Sequence, residues 1–328
     1  MARFILRRVL LMIPTLIAIS IVTFIIIQLP PGDFLTSLAS ALSSQGETVN
    51  QEALDALRRQ YGLGQPIWQQ YLIWMRNILF HWDFGDSFEY NRPVSDLIGN
   101  RMLVTIGISV GSLLVTWAIA FPLGIFSAVR KYSKADYVLT FLSFLGLAIP
   151  EFMLALVLLY VSSRYFGQSV GGLFSPEYVD AAWSLGKFAD LLSHLWIPVL
   201  IIGATHTAGL VRIMRANLLD ELNRPYVVTA RAKGLEERKL LMKYPVRLAL
   251  NPFVSTAGWT LPGIVSGEAV VAIVLSLPTI GPLLLQSLRS QDMYLAGSII
   301  LLTSVLTVIG TLLSDILLAW LDPRIRHL

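Results

Sequence analysis

Apolar stretches of roughly 20 residues recur along this chain, and they limit its fold more than any other feature. A bilayer core is about 30 Å thick, so a helix needs roughly 20 mainly apolar residues to cross it. In lipid, a helix also satisfies its own backbone hydrogen bonds, which an irregular chain cannot do. The composition agrees, since 55% of the residues are hydrophobic and only 14% are charged. The sequence therefore predicts an all-α integral membrane protein.

Six apolar windows predict six transmembrane helices. They lie at Val9–Leu29, Leu103–Val129, Ala135–Val161, Leu195–Met214, Pro252–Leu275 and Leu295–Leu321. The first window follows three arginines and could be mistaken for a secretory signal peptide. Its apolar run of about 21 residues is longer than the 7–15 residues of a signal-peptide core, so we interpret it as a retained membrane anchor.

The distribution of lysine and arginine predicts the orientation in the membrane. If the N-terminus is inside, the inner segments hold 17 of the 25 basic residues but only six of the 21 acidic ones. These segments are 1–8, 130–136, 212–250 and 321–328. Cytoplasmic loops of membrane proteins carry such an excess of positive charge. We therefore expect a multi-pass membrane protein with both termini in the cytoplasm.

The segment between the first two predicted spans, residues 30–101, is too long for a simple connection. We expect it to be a loop on the outer side of the membrane that contains short amphipathic helices, one of them capped by Asn50. A second helix is predicted from apolar residues at helical spacing. These residues are Ile67, Tyr71, Trp74 and Ile78. In this organisation, residues 1–29 form the cytoplasmic N-terminus and first helix, and residues 102–328 form a five-helix membrane core.

Three carboxylates fall within the predicted spans and are candidates for function. They are Glu151, Glu268 and Asp315. A charge in hydrocarbon costs at least about 2.5–3.5 kcal/mol, so such groups face a cavity or a partner. For Glu151 and Glu268 we hold two interpretations open, a position on a translocation path or a structural pairing. Asp315 lies near the inner end of its span, where structural pairing is favoured, and His206 is interpreted as a hydrogen-bonded core histidine.

A basic segment from Arg224 to Pro252 separates the fourth and fifth predicted spans. Its residues predict a short helix that stops at Gly234, followed by a second helix over 236–244 and then Pro245. Such a rigid projection could dock into a groove on a partner protein. The alternative is an anchor to anionic lipid headgroups.

Within this segment, the sequence YVVTARAKGL (226–235) resembles the cytoplasmic coupling loop of bacterial ABC-importer permeases. The match is to the branch that handles dipeptides, oligopeptides and nickel. Further stretches along nearly the whole chain are similar to this family. They are RFILRRVLLMIPTL, LPPGD, YGLGQPIWQQYLIWM, FGDSF, LAIPEFML and LDPRIR. In one departure, Ala272 stands where many peptide permeases have glutamate, and Glu268 comes one helical turn earlier.

The resemblance implies a permease subunit of the bacterial inner membrane that forms half of a translocation pathway. It makes residues 30–101 a periplasmic loop. Its partners would be a second homologous permease, two cytoplasmic ATPase subunits, and a periplasmic or extracellular solute-binding protein, besides membrane lipid. ATP and magnesium would be bound by the ATPase subunits, since no GxxxxGK[ST] phosphate loop occurs in this sequence. No cofactor and no nucleic acid is expected to bind this chain. The chain is therefore not expected to be an enzyme itself.

The resemblance also assigns a coupling loop at 215–251. The residues it implies for contact with the ATPases are Tyr226, Thr229, Ala230, Arg231, Ala232, Lys233, Gly234 and Leu235. The expected solutes are oligopeptides first, with oligosaccharides or nickel as alternatives.

Two other classes of protein fit the sequence less well. An intramembrane hydrolase needs a nucleophile–base pair or metal ligands, and the sequence offers no convincing set; with no cysteine, thiol chemistry is excluded. A secondary transporter or channel would be indicated by inverted internal repeats, which the sequence does not display.

Overall fold

The structure, a computed structural model, describes residues 2–28, 65–87, 89–166 and 171–321. Within these ranges, the side chains of residues 2, 166, 252 and 256–268 lie outside the described set. The helix predicted after Asn50 and the LPPGD and LDPRIR stretches also fall, wholly or largely, outside the described residues.

The described chain is mostly helical. Its helices are α1 (Ala2–Gln28), α2 (Ile67–Arg76), α3 (Val94–Val129), α4 (Lys134–Ala148), α5 (Glu151–Val161), α6 (Leu185–Leu222), α7 (Pro225–Ala232), α8 (Glu237–Lys243), α9 (Pro245–Val274), α10 (Ile280–Arg289) and α11 (Met293–Leu321). Short π-helical turns follow α2 at Asn77–His81 and α5 at Ser162–Phe166. The strands β1 (Asp86–Ser87) and β2 (Arg92–Pro93) form a small antiparallel hairpin, in which Asp86 pairs with Pro93.

Four helices in the described part of the chain are long and apolar enough to cross a membrane, namely α1, α3, α6 and α11. Helices α4 and α5 satisfy the same criterion only together, as one broken span. The fifth predicted window lies on α9, a continuous helix, but most side chains in that window are outside the described residues. The predicted all-helical membrane class is thus confirmed for the described spans.

The third predicted span is not straight, because α4 and α5 meet at a bend of 99°. Pro150 lies at the break; it has no N–H to continue the helix and it disfavours helical geometry in the residue before it. Ile149 accordingly adopts an extended conformation, with φ −86° and ψ 121°. The new helix starts directly afterwards, and Glu151 occupies its first turn.

Contacts between Cα atoms divide the chain into two compact units. The first consists of residues 1–10, 104–281 and 306–328, and the second of residues 11–103 and 282–305. The core of the first unit has two clusters that both join α3, α6 and α9. One cluster is built around Ile108, Ile197, Ile201, Val271 and Leu275, and also includes Ala272; the other is built around Ala120, Met214, Leu218, Val246 and Phe253.

Small residues allow α3 and α6 to approach closely in the first unit. A Cβ atom added at Gly124 would lie 2.6 Å from Cβ of Met214, and one added at Gly203 would lie 3.1 Å from Oγ1 of Thr116. Such small-residue contacts are common between membrane helices, because lipid offers no hydrophobic force and close packing must supply the attraction.

The second unit is held by aromatic and polar contacts. The Phe24 ring of α1 lies 5.6 Å from the rings of Tyr71 and Trp74 on α2. The Ser20 and Tyr71 hydroxyls are hydrogen-bonded at 2.8 Å. Trp74 is buried, as expected for a residue on the predicted apolar face of this helix, but Ile67 at the start of the helix is 61% exposed. The hairpin is fastened by Asp292, whose carboxylate accepts a 2.5 Å hydrogen bond from the Ser87 hydroxyl.

The contact at Gly124 predicts an asymmetric effect of alanine along α3. Gly124→Ala should destabilise the protein by about 1–3 kcal/mol, because the added methyl overlaps Met214 in a packed core. Gly107→Ala is the matched control on the same helix, where nothing lies within 4 Å of the added atom. The unfolding temperature of the purified protein, followed by tryptophan fluorescence, should fall only for Gly124→Ala. Equal unfolding temperatures would contradict the packing described.

Candidate functional site

The basic segment singled out in the sequence forms a compact elbow, defined as residues 224–244. It consists of α7, a four-residue turn and α8. The predicted order of short helix, sharp turn and second helix is therefore confirmed. The connection is shorter than the predicted loop of 215–251, because α6 continues to Leu222 and α9 already begins at Pro245.

The turn between the two short helices is set by Gly234. Its φ is +76°, a left-handed conformation that side chains other than glycine and asparagine rarely adopt. The Gly234 N–H donates to the Arg231 carbonyl at 3.0 Å, and the Leu235 N–H donates to the Ala230 carbonyl at 3.3 Å. This pair of bonds is the Schellman pattern, which satisfies the last carbonyls of a helix. The elbow angle is thus fixed by backbone geometry.

A salt bridge spans the elbow. Arg231 Nη2 and Nε donate to the Glu237 carboxylate at 2.6 and 3.1 Å, which joins the end of α7 to the start of α8. The Arg231 hydrogen bond lowers the pKa of Glu237, and Glu237 raises the pKa of Arg231. The pair therefore contributes above the ordinary pKa of glutamate and is lost as the pH falls through the lowered value. Both side chains are about half exposed, so the energetic contribution is small.

The eight residues that the resemblance assigned to coupling divide into two sets. Five of them are exposed: Thr229, Arg231, Ala232, Lys233 and Gly234. The other three, Tyr226, Ala230 and Leu235, are partly buried against the chain itself. The Tyr226 hydroxyl donates to the Glu221 carboxylate at 2.5 Å, and burial followed by this hydrogen bond raises its pKa. Exposed Val228 adds an apolar residue to the outer face.

The inner face of the elbow is anchored by side chains that are wholly buried. Val227 of α7 and Leu240 of α8 have no exposed surface. Two buried residues of α6, Met214 and Leu218, belong to the core cluster shared with α3 and α9. The buried Val227 and Leu240 side chains therefore hold both short helices of the elbow against the rest of the chain.

A buried ion pair, not anticipated from the sequence, joins α4 to α6 close to the elbow. Arg215 donates to both Asp136 oxygens at 2.8 Å, and the Ser127 hydroxyl and the Tyr132 N–H also donate to this carboxylate. Only 3% of the Asp136 side chain is exposed. The Ser133-x-x-Asp136 spacing signals only the start of α4, where the Ser133 hydroxyl accepts from the Asp136 N–H, and it gives no sign of the ion pair.

The acidic residues predicted inside the spans have different environments. Asp315 forms an ion pair with Arg8 at 3.0 Å, which agrees with the prediction that Asp315 has a structural partner. Glu151 is partly buried and accepts a hydrogen bond from Thr205 of α6. Glu268 lies on α9, but its side chain is outside the described residues. His206 is partly buried on α6, next to Thr205.

Comparison with known proteins identifies the family. The family described as binding-protein-dependent transport system inner membrane component matches residues 120–327, and the N-terminal component of the same system matches residues 1–109. The chain belongs to this family. The resemblance inferred from the sequence motifs is therefore confirmed, and it extends over almost the whole chain.

Several relatives of this inner-membrane component carry names of peptide transporters. The chain is 36% identical to the oligopeptide transport system permease protein AppB of Bacillus subtilis, with 100% of both chains covered. It is 30% identical to the oligopeptide permease OppB of Haemophilus influenzae, again over 100% of both chains. It is 29% identical to the dipeptide permease DppB of Escherichia coli K12, over 100% of this chain and 99% of the relative.

The fold is also similar to that of a solved transporter. A chain from the structure entitled "Inward facing conformations of the MetNI methionine ABC transporter" superposes with a TM-score of 0.55 at 15% sequence identity. The match covers 69% of this chain and 96% of that chain. It supports the permease fold of the inner-membrane component.

Replacing Gly234 tests the geometry of the elbow. Gly234→Val should strain the left-handed turn by about 1–2 kcal/mol although nothing lies within 4 Å of an added Cβ. Gly234→Asn is the control, because asparagine tolerates this conformation. Hydrogen exchange at the Leu235 amide, followed by mass spectrometry, should be faster in the valine variant alone. Equal exchange in both variants would mean that the turn is not set by residue 234.

The Asp136–Arg215 pair should be important for stability. Asp136→Ala should cost about 2–4 kcal/mol, since removing one partner of a fully buried pair costs about 3–5 kcal/mol and Arg215 is partly exposed. Asp220→Ala removes an exposed acid from α6 and should change the unfolding temperature little. A small effect of Asp136→Ala would show that the pair is not buried in the membrane-embedded protein.

Proposed function

We propose that this chain is one of two membrane subunits of an ATP-driven importer for oligopeptides. The family description supports a binding-protein-dependent transport system, and the names of relatives that match the full chain support peptides as the solute. Oligosaccharides and nickel are less favoured alternatives, because these relatives are named for oligopeptides and dipeptides.

In the proposed assembly, each membrane subunit has six spans, with α9 as the fifth, and both termini are cytoplasmic. The excess of basic residues on the inner segments supports this orientation. A second homologous permease completes the pathway, two cytoplasmic ATPase subunits bind ATP and magnesium, and an external binding protein delivers the solute.

The elbow is the proposed contact with an ATPase subunit, and its exposed outer face over a fully buried inner face is the observation that carries the proposal. Its outer face is exposed while Val227 and Leu240 bury its inner face completely. The turn is fixed at Gly234, and the two short helices are joined by Arg231 and Glu237. A displacement of the elbow would therefore move α6 and α9 as bodies. Nucleotide-driven closure of the ATPases would bias the permease between its two states in this way.

The translocation path is proposed to pass Glu151 and Glu268. Glu151 supports this assignment because it lies at the break between α4 and α5, and non-helical backbone at membrane depth is tolerated where it lines a cavity. Glu268 is assigned to the path only because of its position in the sequence, one helical turn before Ala272.

A pair of valines tests the proposed docking. Val228 on α7 and Val179, in the segment before α6, are each 56% exposed. Val228→Asp should lower recovery of the ATPase subunits with the purified complex by about tenfold or more and abolish ATP-dependent peptide uptake in liposomes, because it places a charge in an apolar contact. Val179→Asp should leave both unchanged. Equal recovery of the ATPases in the two variants would contradict the proposed docking of α7.

Orientation can be tested with the same positions, since the chain has no cysteine of its own. In the permease without its ATPases, Val228→Cys should react with a membrane-impermeant thiol reagent only from the cytoplasmic side, and Val179→Cys only from the outside. The reverse pattern would overturn the proposed topology.

A further inference from the structure

An apolar groove lies between α3, α4 and α6, within the first of the two units. Its volume is about 290 Å³. The α3 wall runs from Val115 to Leu123, the α4 wall from Leu139 to Gly146, and Ala204 belongs to the floor on α6. All of the lining side chains are apolar apart from two hydroxyls, so the groove is suited to an apolar occupant. These hydroxyls belong to Ser143 and Thr207.

The groove offers few partners to a polar occupant. The Ser143 hydroxyl already donates to the Leu139 carbonyl of its own helix at 2.8 Å. A bound peptide would bring an N–H and a C=O with nearly every residue, and burying such groups without hydrogen bonds is unfavourable. A hydrocarbon chain carries no polar groups and gains free energy from contact with an apolar wall. The lining therefore favours a lipid chain over a transported peptide.

The dimensions of the groove match a single hydrocarbon chain. Val115 and Leu123 are eight residues apart on one helix, so the α3 wall is about 12 Å long. The hydrocarbon of one leaflet is about 15 Å deep, half of the bilayer core. A helix with a diameter of about 10 Å would occupy roughly 900 Å³ over the same length. The groove volume of 290 Å³ is too small for a whole helix.

A polar network closes one end of the groove. Ser127 lies four residues after Leu123 on α3, and Asp136 lies three residues before Leu139 on α4. Residues at these spacings share a helix face, so both polar residues continue the walls of the groove. The Ser127 hydroxyl and the Arg215 guanidinium of α6 both donate to the Asp136 carboxylate. The apolar lining thus ends where the three helices are joined by polar groups.

A basic turn, defined as residues 130–134, connects α3 to α4 at this end. The Tyr132 N–H donates to the Asp136 carboxylate at 2.9 Å, so the backbone of the turn is fixed to the polar network. Asp136 is the acid nearest to the turn in sequence, but it is already bonded to Arg215. The turn therefore presents three positive side chains, all of them exposed. They are Arg130, Lys131 and Lys134.

The position of Arg130 relative to the groove follows from a single helix. The Arg130 N–H donates to the Phe126 carbonyl at 3.0 Å, so helical geometry continues to this residue. Arg130 comes seven residues after Leu123, which places it on the same face and about 10 Å further along the axis. The headgroup layer of a bilayer is about 5–8 Å deep on each side. A long arginine side chain spans the small difference, because its apolar stem lets the charged end reach the headgroups.

We propose that the groove and the basic turn together bind one anionic phospholipid of the inner leaflet, with an acyl chain in the groove and its phosphate at the turn. Basic residues beside pockets between membrane helices on the cytoplasmic side bind anionic headgroups in this way. Arginine also suits phosphate, because its fork of donors binds two oxygens at once. The lipid would contact α3, α4 and α6 together and would stabilise their packing.

This site goes beyond the proposed function, since it concerns neither the solute nor the ATPases. Only the assignment to the inner leaflet rests on the proposed orientation, which places residues 130–136 in the cytoplasm. Lipid binding by the purified chain does not depend on that orientation. Failure of the lipid site and failure of the proposed topology are therefore separate outcomes.

The first experiment measures which lipid the full chain retains. The chain, purified in detergent, is incubated with equal amounts of anionic phosphatidylglycerol and net-neutral phosphatidylethanolamine with identical acyl chains, and bound lipid is counted by native mass spectrometry. Phosphatidylglycerol should be retained in excess by about tenfold or more, because each basic residue near an anionic headgroup adds attraction. The triple variant Arg130→Gln, Lys131→Gln, Lys134→Gln should lose this preference.

The chain offers a matched control for the triple variant. Arg238, Lys243 and Arg247 are also exposed and lie in the same inner segment, but outside the turn. Replacing these three by glutamine removes the same charge and should leave the lipid preference unchanged. Phosphatidylglycerol should also raise the unfolding temperature of the wild type and the control, since a ligand that binds only the folded state stabilises it. It should raise that of the turn variant less.

Filling the groove provides an independent readout. Ala204→Phe places a ring in the groove and should abolish the retention of phosphatidylglycerol. Ala216→Phe, at an exposed position of the same helix, should retain the lipid as the wild type does. The unfolding temperature without lipid shows whether each variant is folded. If Ala204→Phe does not fold, the turn variant decides alone, because its substitutions are all at exposed positions.

Three results would overturn the proposal. The first is equal retention of the two lipids by the wild type, and the second is an unchanged preference in the turn variant or unchanged retention in a folded Ala204→Phe variant. The third is loss of the lipid when the chain assembles with its second membrane subunit, because that subunit would then cover the groove.

Discussion

The absence of water from the bilayer core is the constraint on which this structure depends. Backbone groups there must be bonded within helices, and each charge must be compensated or face a path. The chain meets this demand by direct pairing at Asp136–Arg215 and Asp315–Arg8. At the break between α4 and α5, a new helix begins directly after Pro150, and the Glu151 carboxylate lies in its first turn. A charge inside a span therefore indicates a structural ion pair or a functional site, whereas a charge on a water-exposed surface indicates neither.

Burial connects the exposed elbow to the membrane helices. Val227, Leu240, Met214 and Leu218 have no exposed surface, and α6 and α9 pack with α3 around Phe253. The Asp136–Arg215 pair adds α4 to this body near the same end of α6. Helix α6 thus leads almost directly into the elbow that is proposed to contact the ATPases.

The membrane-spanning helices were largely predictable, because length and apolar content determine whether a helix can cross a membrane. The elbow was predictable for a local reason, since Gly234 is the residue that permits a left-handed turn. The break at Ile149–Pro150 was not, because prolines also occur in helices that are only kinked. The Asp136–Arg215 pair joins residues 79 positions apart, so no local pattern reveals it.

The brevity of the connections around the elbow has a mechanical consequence. Two residues separate α6 from α7, four separate α7 from α8, and one separates α8 from α9. The backbone has almost no slack to take up a push or a pull on this segment. A force applied to its outer surface would therefore be delivered to both long helices at once, with little lost to stretching of the links.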